Sequence, residues 1–225
     1  MHLIGNSLAT LILVFIAGYI VVIRPWHLRW GATPEEVGRA LPGDERVPEP
    51  VAQYTHAITI AAPAAEVWPW LVQIGCNRGG WYSYDWLDNG GRPSARQVIP
   101  EFQHLEVGQM IPAAPSNAAG FPVAAVEPGR WFILGGLLDP TTGKDLGGQR
   151  PTSGLYFNYT WLFYPESLSD GTTRMITRFR CDGRPRTFSL LATRVLLEPI
   201  SFIMERKMLL NLQERIEAVA PTAGA

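Results

Sequence analysis

The stretch Thr55-His56-Ala57-Ile58-Thr59-Ile60-Ala61-Ala62-Pro63-Ala64-Ala65-Glu66-Val67-Trp68-Pro69-Trp70-Leu71-Val72 carries two hydrophobic periods in succession. From Thr55 to Ala61, His56, Ile58 and Ile60 alternate with smaller residues, the period-two pattern of a β-strand. Ala62-Pro63 ends the strand. Beyond it Val67, Trp70, Leu71 and Ile74 recur at helical spacing, with proline in the first turn, where the missing N–H would have had no intrahelical partner. Pro69 fits only because it lies within about two turns of the helix start, and it predicts a kink.

On the C-terminal side, glycine pairs bracket Gly79-Gly80-Trp81-Tyr82-Ser83-Tyr84-Asp85-Trp86-Leu87-Asp88-Asn89-Gly90-Gly91 and allow sharp turns there. Its rings Trp81, Tyr82, Tyr84 and Trp86 suit an enclosed organic-ligand site, and they equally suit an aromatic plug of the core. Gln97 to Glu106 adds Glu101 and His104, and Glu106 to Ile111 reads as a turn into a short strand. Phe121 to Val126 and Arg130 to Leu134 flank Glu127-Pro128-Gly129, a strong turn. Gly135 to Thr152, with its five glycines, reads as a long loop able to act as a flap.

Leu155 to Tyr164 alternates strictly: Leu155, Phe157, Tyr159, Trp161 and Phe163 share one face. After a turn from Pro165 to Gly171, Met175, Thr177, Phe179 and Cys181 point one way and Arg174, Arg178 and Arg180 the other. Alternation this clean predicts an antiparallel sheet with one wet face, the arginines being solvated. Thr187 to Val219 reads as a long helix interrupted by Pro199, with Ile200, Ile203, Met204, Met208, Leu212, Ile216 and Val219 on one stripe. Its greasier first half is expected to be core, with one flank on a membrane surface. Glu198-Pro199 would be costly inside hydrocarbon, which argues against a second span.

Toward the N-terminus, Gly31 to Pro50 reads as a linker with one short helix opened by Thr33-Pro34-Glu35-Glu36. Leu8 to Ile23 contains no charge and, extended back through Leu3 and Ile4, reaches about the 20 residues that a bilayer core requires. Arg24, Trp26, His27, Arg29 and Trp30 follow as a basic, aromatic collar. No positive charge precedes the run and no small-residue cleavage site follows it, so an uncleaved anchor is expected rather than a signal peptide. The collar places the rest of the chain in the cytoplasm, as a single-pass protein of the inner membrane. The expected organisation is an anchor over residues 1–30, a linker over 31–53 and one domain over 54–221. Cys76 and Cys181 are expected to be buried thiols, with a single disulfide as the alternative.

Composition excludes some classes. Net charge is −1 and charged residues make up 17 % of the 225, so a nucleic-acid surface is not expected. No CxxC pair, P-loop, GxGxxG after a strand or HExxH is present, and no metal or cofactor is expected.

The strand-helix unit Ile58 to Leu71 resembles the opening of the SRPBCC superfamily, the START-like, helix-grip group that includes polyketide cyclases and lipid-transfer domains. Asn77-Arg78-Gly79-Gly80-Trp81-Tyr82-Ser83-Tyr84-Asp85 resembles a bacterial subgroup of polyketide cyclase/dehydrase-like proteins. The resemblance covers roughly residues 55–219. It implies an α+β helix-grip fold, a curved antiparallel sheet around a long C-terminal helix, with an apolar cavity between them. The expected lining is Trp81, Tyr82, Tyr84, Trp86, Phe157, Tyr159, Trp161, Phe179 and Met204. The expected partner is a hydrophobic small molecule or lipid, held by a membrane-tethered carrier. A cyclase or dehydratase would instead need an acid or base in the pocket, for which Asp85, Glu101, His104 and Tyr84 are the candidates. A third possibility is an interaction module whose pocket is filled by its own side chains.

Overall fold

The computed structural model describes Val14, residues 17–116 and residues 119–219. Most of the run Leu3 to Ile23, on which the N-terminal span was read, lies outside the described residues.

Six strands form one antiparallel sheet in the order β1-β6-β5-β4-β3-β2. They are β1 (Ala52–Ile60), β2 (Met110–Pro112), β3 (Gly120–Glu127), β4 (Trp131–Leu138), β5 (Tyr156–Ser167) and β6 (Thr173–Arg184). The helices are α1 (Arg24–Leu28), which continues a π-helical turn at Tyr19–Ile23, α2 (Pro34–Gly38), α3 (Ala64–Val72), α4 (Asp85–Asp88), α5 (Arg186–Ala192) and α6 (Glu198–Val219). The β5–β6 ladder runs from Tyr156↔Arg184 to Ser167↔Thr173, so the alternating faces read from sequence are the faces observed. Pro165, expected in the turn, is inside β5. It lies beyond Phe163, the last β5 residue in register with β4, where the missing donor costs least.

The inner face packs on α3 and the second half of α6, with Ile60, Trp70, Leu71, Phe132, Phe163, Met208, Leu209 and Leu212 in one buried cluster. Two irregularities bend the sheet around this core. Register shifts between Val123 and Ala125 in the β3–β4 pair. Gly135 has φ +140°, and a Cβ there would lie 2.2 Å from the Tyr159 carbonyl oxygen. Gly135 therefore belongs to β4 and not to a loop, which begins only after Leu138: cross-strand pairing with β5 overrides the weak strand preference of Gly135-Gly136.

The outer face is not wet. Residues 31–50 lie across it, and Leu41 packs with Ala57, Ile133, Leu162 and Ile176. Arg178 is buried beneath them. Its guanidinium donates to the carbonyls of Glu36, Val37 and Arg39, to the Asp44 carboxylate and to Thr55 Oγ1. Arg174 forms a two-bond pair with Glu36, and Arg180 donates to the Val47 carbonyl. Thr33 is the expected N-cap of α2 and forms a capping box with Glu36, so the same glutamate holds the helix start and an arginine of β6. The arginines are held by backbone carbonyls and by side chains rather than by solvent alone.

Arg186–Val219 is a continuous helical run of 34 residues, long and apolar enough to cross a membrane by length and composition. It widens to a π-helical turn at Thr193–Leu197, which ends two residues before Pro199. The wider turn accommodates the proline ring, which would otherwise meet the carbonyl of Val195, and the absent N–H. The stripe read from sequence divides here. Met208, Leu212 and Ile216 are buried, whereas Ile200, Ile203 and Val219 are exposed. Cys76 and Cys181 are free thiols, both buried.

Candidate functional site

Between the inner face of the sheet and α6 lies a cavity of about 300 Å³. Trp161 of β5 and Phe179 of β6 form its floor, Leu197, Met204 and Met208 come from the terminal helical run, and Trp81 and Phe121 close the side. Trp81 and Trp161 stack with centroids 5.8 Å apart, and Phe121 meets both rings edge-on. Two hollows of comparable size lie elsewhere, one beside Gly135 and Tyr159, the other beside Phe157 and Phe188.

Five polar side chains interrupt the apolar lining: Tyr54, Ser83, Asp88, Ser201 and Glu205. No lysine or arginine is among the lining residues. Asp88 is 6 % exposed, and neither of its carboxylate oxygens has a hydrogen bond of good geometry. Burial, followed by the nearby charge of Asp85, pushes its pKa up to about 6, against the pull of the Tyr84 and Asp88 amides and Ser83. Ser83 Oγ is likewise buried without a hydrogen bond of good geometry.

Glu205 is 3 % exposed. Its Oε1 accepts from Trp161 Nε1 at 3.3 Å, and its Oε2 lies 3.5 Å from His56 Nδ1. On the other side of the ring, His56 Nε2 is 2.8 Å from the His27 carbonyl oxygen, which can only accept, so Nε2 carries hydrogen. Nδ1 and Oε2 then face one another, and neither has another partner. Two buried acceptors opposed without a proton would be strongly unfavourable. Each of the two atoms therefore needs a hydrogen-bond donor opposite it.

Of the residues predicted to line the site, Trp81, Trp161, Phe179 and Met204 do so. Trp86 does not, being 73 % exposed, because the α4 turn swings it outward. Tyr82 is fully buried in the core at φ +56°, with its hydroxyl accepting from Gln73, and burial pushes its pKa up to about 12. Tyr84 is half-buried and lies outside the lining, while Phe157 and Tyr159 border the two other hollows.

The four candidate acid–base groups are also elsewhere. Asp85 accepts from the Ser94 amide and hydroxyl and so closes its own loop, as its turn-forming neighbours allow. Glu101 and His104 are exposed. Asp88 and Glu205 take their place at the cavity; sequence reasoning gave Asp88 only a capping or turn-forming role beside Asn89-Gly90 and gave Glu205 none. For Glu205 a signal exists: Ser201, Glu205, Met208 and Leu212 recur at core-facing spacing, and a carboxylate at such a position needs a partner.

No protein-family model and no curated protein matches the chain. Solved structures similar to it include a protein from Mesorhizobium loti, 12 % identical, covering 76 % of this chain and 100 % of that one, with a TM-score of 0.41. Another, from Mycobacterium smegmatis, is 14 % identical over 77 % of this chain and 93 % of that one, TM-score 0.35. The Zhui aromatase/cyclase of a Streptomyces species is 13 % identical over 77 % of this chain and 99 % of that one, TM-score 0.30. Likeness of this degree assigns no activity. By its own element order, its six-stranded antiparallel sheet and the long helix that closes it, the chain has the α+β helix-grip fold.

Proposed function

We propose that the protein is a membrane-tethered binding domain that holds a hydrophobic, ring-bearing small molecule or lipid in the cavity between the sheet and α6. The observation that carries the proposal is the cavity itself: about 300 Å³ of space walled by Trp81, Trp161, Phe121 and Phe179, at the lower end of ligand-pocket volumes. Removal of apolar surface from water drives such binding, at about 25 cal/mol per Å² before the costs of association. Asp88 and Glu205, with no cation in the lining, favour a ligand that turns a hydrogen-bond donor or an amine toward them. The uncharged run Leu8 to Ile23 and the collar after it support a single-pass tether in the inner membrane with the domain in the cytoplasm. The test is solvent extraction of the purified full chain followed by mass spectrometry. A stoichiometric apolar molecule is expected, absent from a Trp161→Ala preparation. Protein that carries none, and that no apolar compound stabilises thermally, overturns the proposal.

A second reading, acid–base catalysis of the cyclase or dehydratase kind, is favoured by the placement of Asp88 and Glu205 at the cavity. Asp85 and His104, on which it first rested, sit outside. A catalyst with Asp88→Asn or Glu205→Gln would retain an unconverted compound. Identical extracts from variant and parent protein would leave binding alone.

A further inference from the structure

The first half of the terminal helical run presents an apolar face that none of the described residues covers. Phe188, Leu191, Val195, Leu196, Ile200 and Ile203 are each between 53 % and 68 % exposed. They lie along about 22 Å of helix at 1.5 Å per residue. Single exposed apolar residues need no explanation, but a contiguous stripe does.

Two observations say what covers it. The first is where the uncharged N-terminal run ends. Ile20, Val21, Val22, Ile23 and Trp26 are exposed as well. Their segment is clamped to the stripe's own helix: Arg24 donates from Nε and Nη2 to the two oxygens of Glu198 at 2.8 Å each, and Trp26 meets Phe202 edge-on at 5.3 Å. The chain thus delivers its uncharged segment to the same helix that carries the uncovered face. The second is charge. Glu198 is the only acid between Arg186 and Met204, and it is buried against Arg24, whereas Arg186 and Arg194 are exposed. Arg184 precedes the stripe and Arg206 and Lys207 follow it, all exposed. An apolar face rimmed by cations matches the acyl boundary and anionic phosphates of a bilayer.

We propose that this face of α5 and the start of α6 lies in the surface of a lipid bilayer, as a second membrane contact beside the N-terminal run. The helix does not cross. Past Ser201 it turns Glu205, Met208, Leu209 and Leu212 into the protein interior. Because Leu197, Ser201 and Met204 of the same run line the cavity, one helix separates the ligand site from the acyl chains. The proposal rests on the membrane reading above and adds the orientation of the domain on the membrane.

Both native thiols are buried, so an introduced cysteine takes a label specifically. The full chain is reconstituted in phosphatidylcholine/phosphatidylglycerol vesicles with an environment-sensitive fluorophore at Val195→Cys, at Leu191→Cys or, as control, at Ser169→Cys in the β5–β6 turn at the opposite end of the sheet. Labels at 195 and 191 are expected to shift to the blue and to be quenched several-fold by brominated lipid, with the label at 169 unchanged. Protein that floats with the vesicles while its 195 and 191 labels stay in water overturns this proposal and leaves the tether standing. A blue shift without bromine quenching assigns the face to a protein cover, such as a second copy, and also overturns it. Failure to float overturns both.

Discussion

His56 Nδ1 of the first strand stands 3.5 Å from Oε2 of Glu205, a cavity-lining residue of the last helix, and neither atom has any other hydrogen-bonding partner. The pair ties β1 to α6 beside the cavity. Removing one member leaves the other buried and unpaired. Glu205→Ala is expected to lower the unfolding free energy by about 3 kcal/mol. Glu205→Gln, whose amide can donate to Nδ1, should lower it by less than about 1 kcal/mol. Urea unfolding of both variants checks this. Equal losses would show that a hydrogen bond to Nδ1 is not what the site needs.

Asp88 gives a pH signature. Its folded-state pKa is about 6, above the ordinary 3.8, because burial disfavours the charge. A carboxylic acid with a raised folded value binds more protons folded than unfolded between those two pH values. Its burial therefore costs stability above pH 6, and the cost fades as pH falls toward 4. Asp88→Asn should raise stability at pH 8 by about 1–2 kcal/mol, after discounting for solvent that reaches the cavity, and change little at pH 4. Thermal melts at the two pH values decide the matter: an equal shift at both would sink the assignment.

Arg178 tests the covered outer face. Its side chain is 2 % exposed and bonds three carbonyls, one carboxylate and one hydroxyl. Arg178→Ala is expected to cost about 3–5 kcal/mol, and Arg178→Lys nearly as much, because an ammonium cannot reach partners spread around a planar fork. Chemical denaturation measures both. A loss under about 0.5 kcal/mol would return Arg178 to the solvated face that alternation alone implied.

The rings of the Gly79 to Gly91 stretch separate into lining and surface. Trp81 lines the cavity and Trp86 is 73 % exposed. With 1-aminoanthracene as a fluorescent ring-bearing amine, Trp81→Ala should weaken binding by roughly tenfold, the worth of a lost aromatic contact. Trp86→Ala should change it by less than about twofold. Titration by fluorescence gives both, and equal effects would place the ligand elsewhere.

Local patterns in the chain were enough for the strand and helix at Thr55 to Val72, the β5–β6 alternation, the Glu127-Pro128-Gly129 turn and the short helix α2 with Thr33 at its start. Each depends on contacts a few residues apart or on a period of two or 3.6, and a one-dimensional string records both. Gly135 and the exposed stripe of Ile200 and Ile203 were misread for the complementary reason. Glycine's place in a strand and an isoleucine's place on a helix face are settled by what lies opposite, and that is a property of the packed molecule. The same holds for Arg178, whose partners come from residues more than a hundred positions away.

By itself, then, the sequence determined an α+β chain with an apolar leader, an aromatic-rich sheet and a long amphipathic end, because burial drives period and period is written locally. Only the tertiary structure decided which carboxylates meet the cavity. Asp85 and Asp88 are three residues apart, yet the turn of α4 bonds one to Ser94 and turns the other into the apolar wall, where Glu205 arrives from the far end of the chain. Whether a carboxylate is a cap or a site is a matter of the surfaces brought against it, and folding alone supplies those.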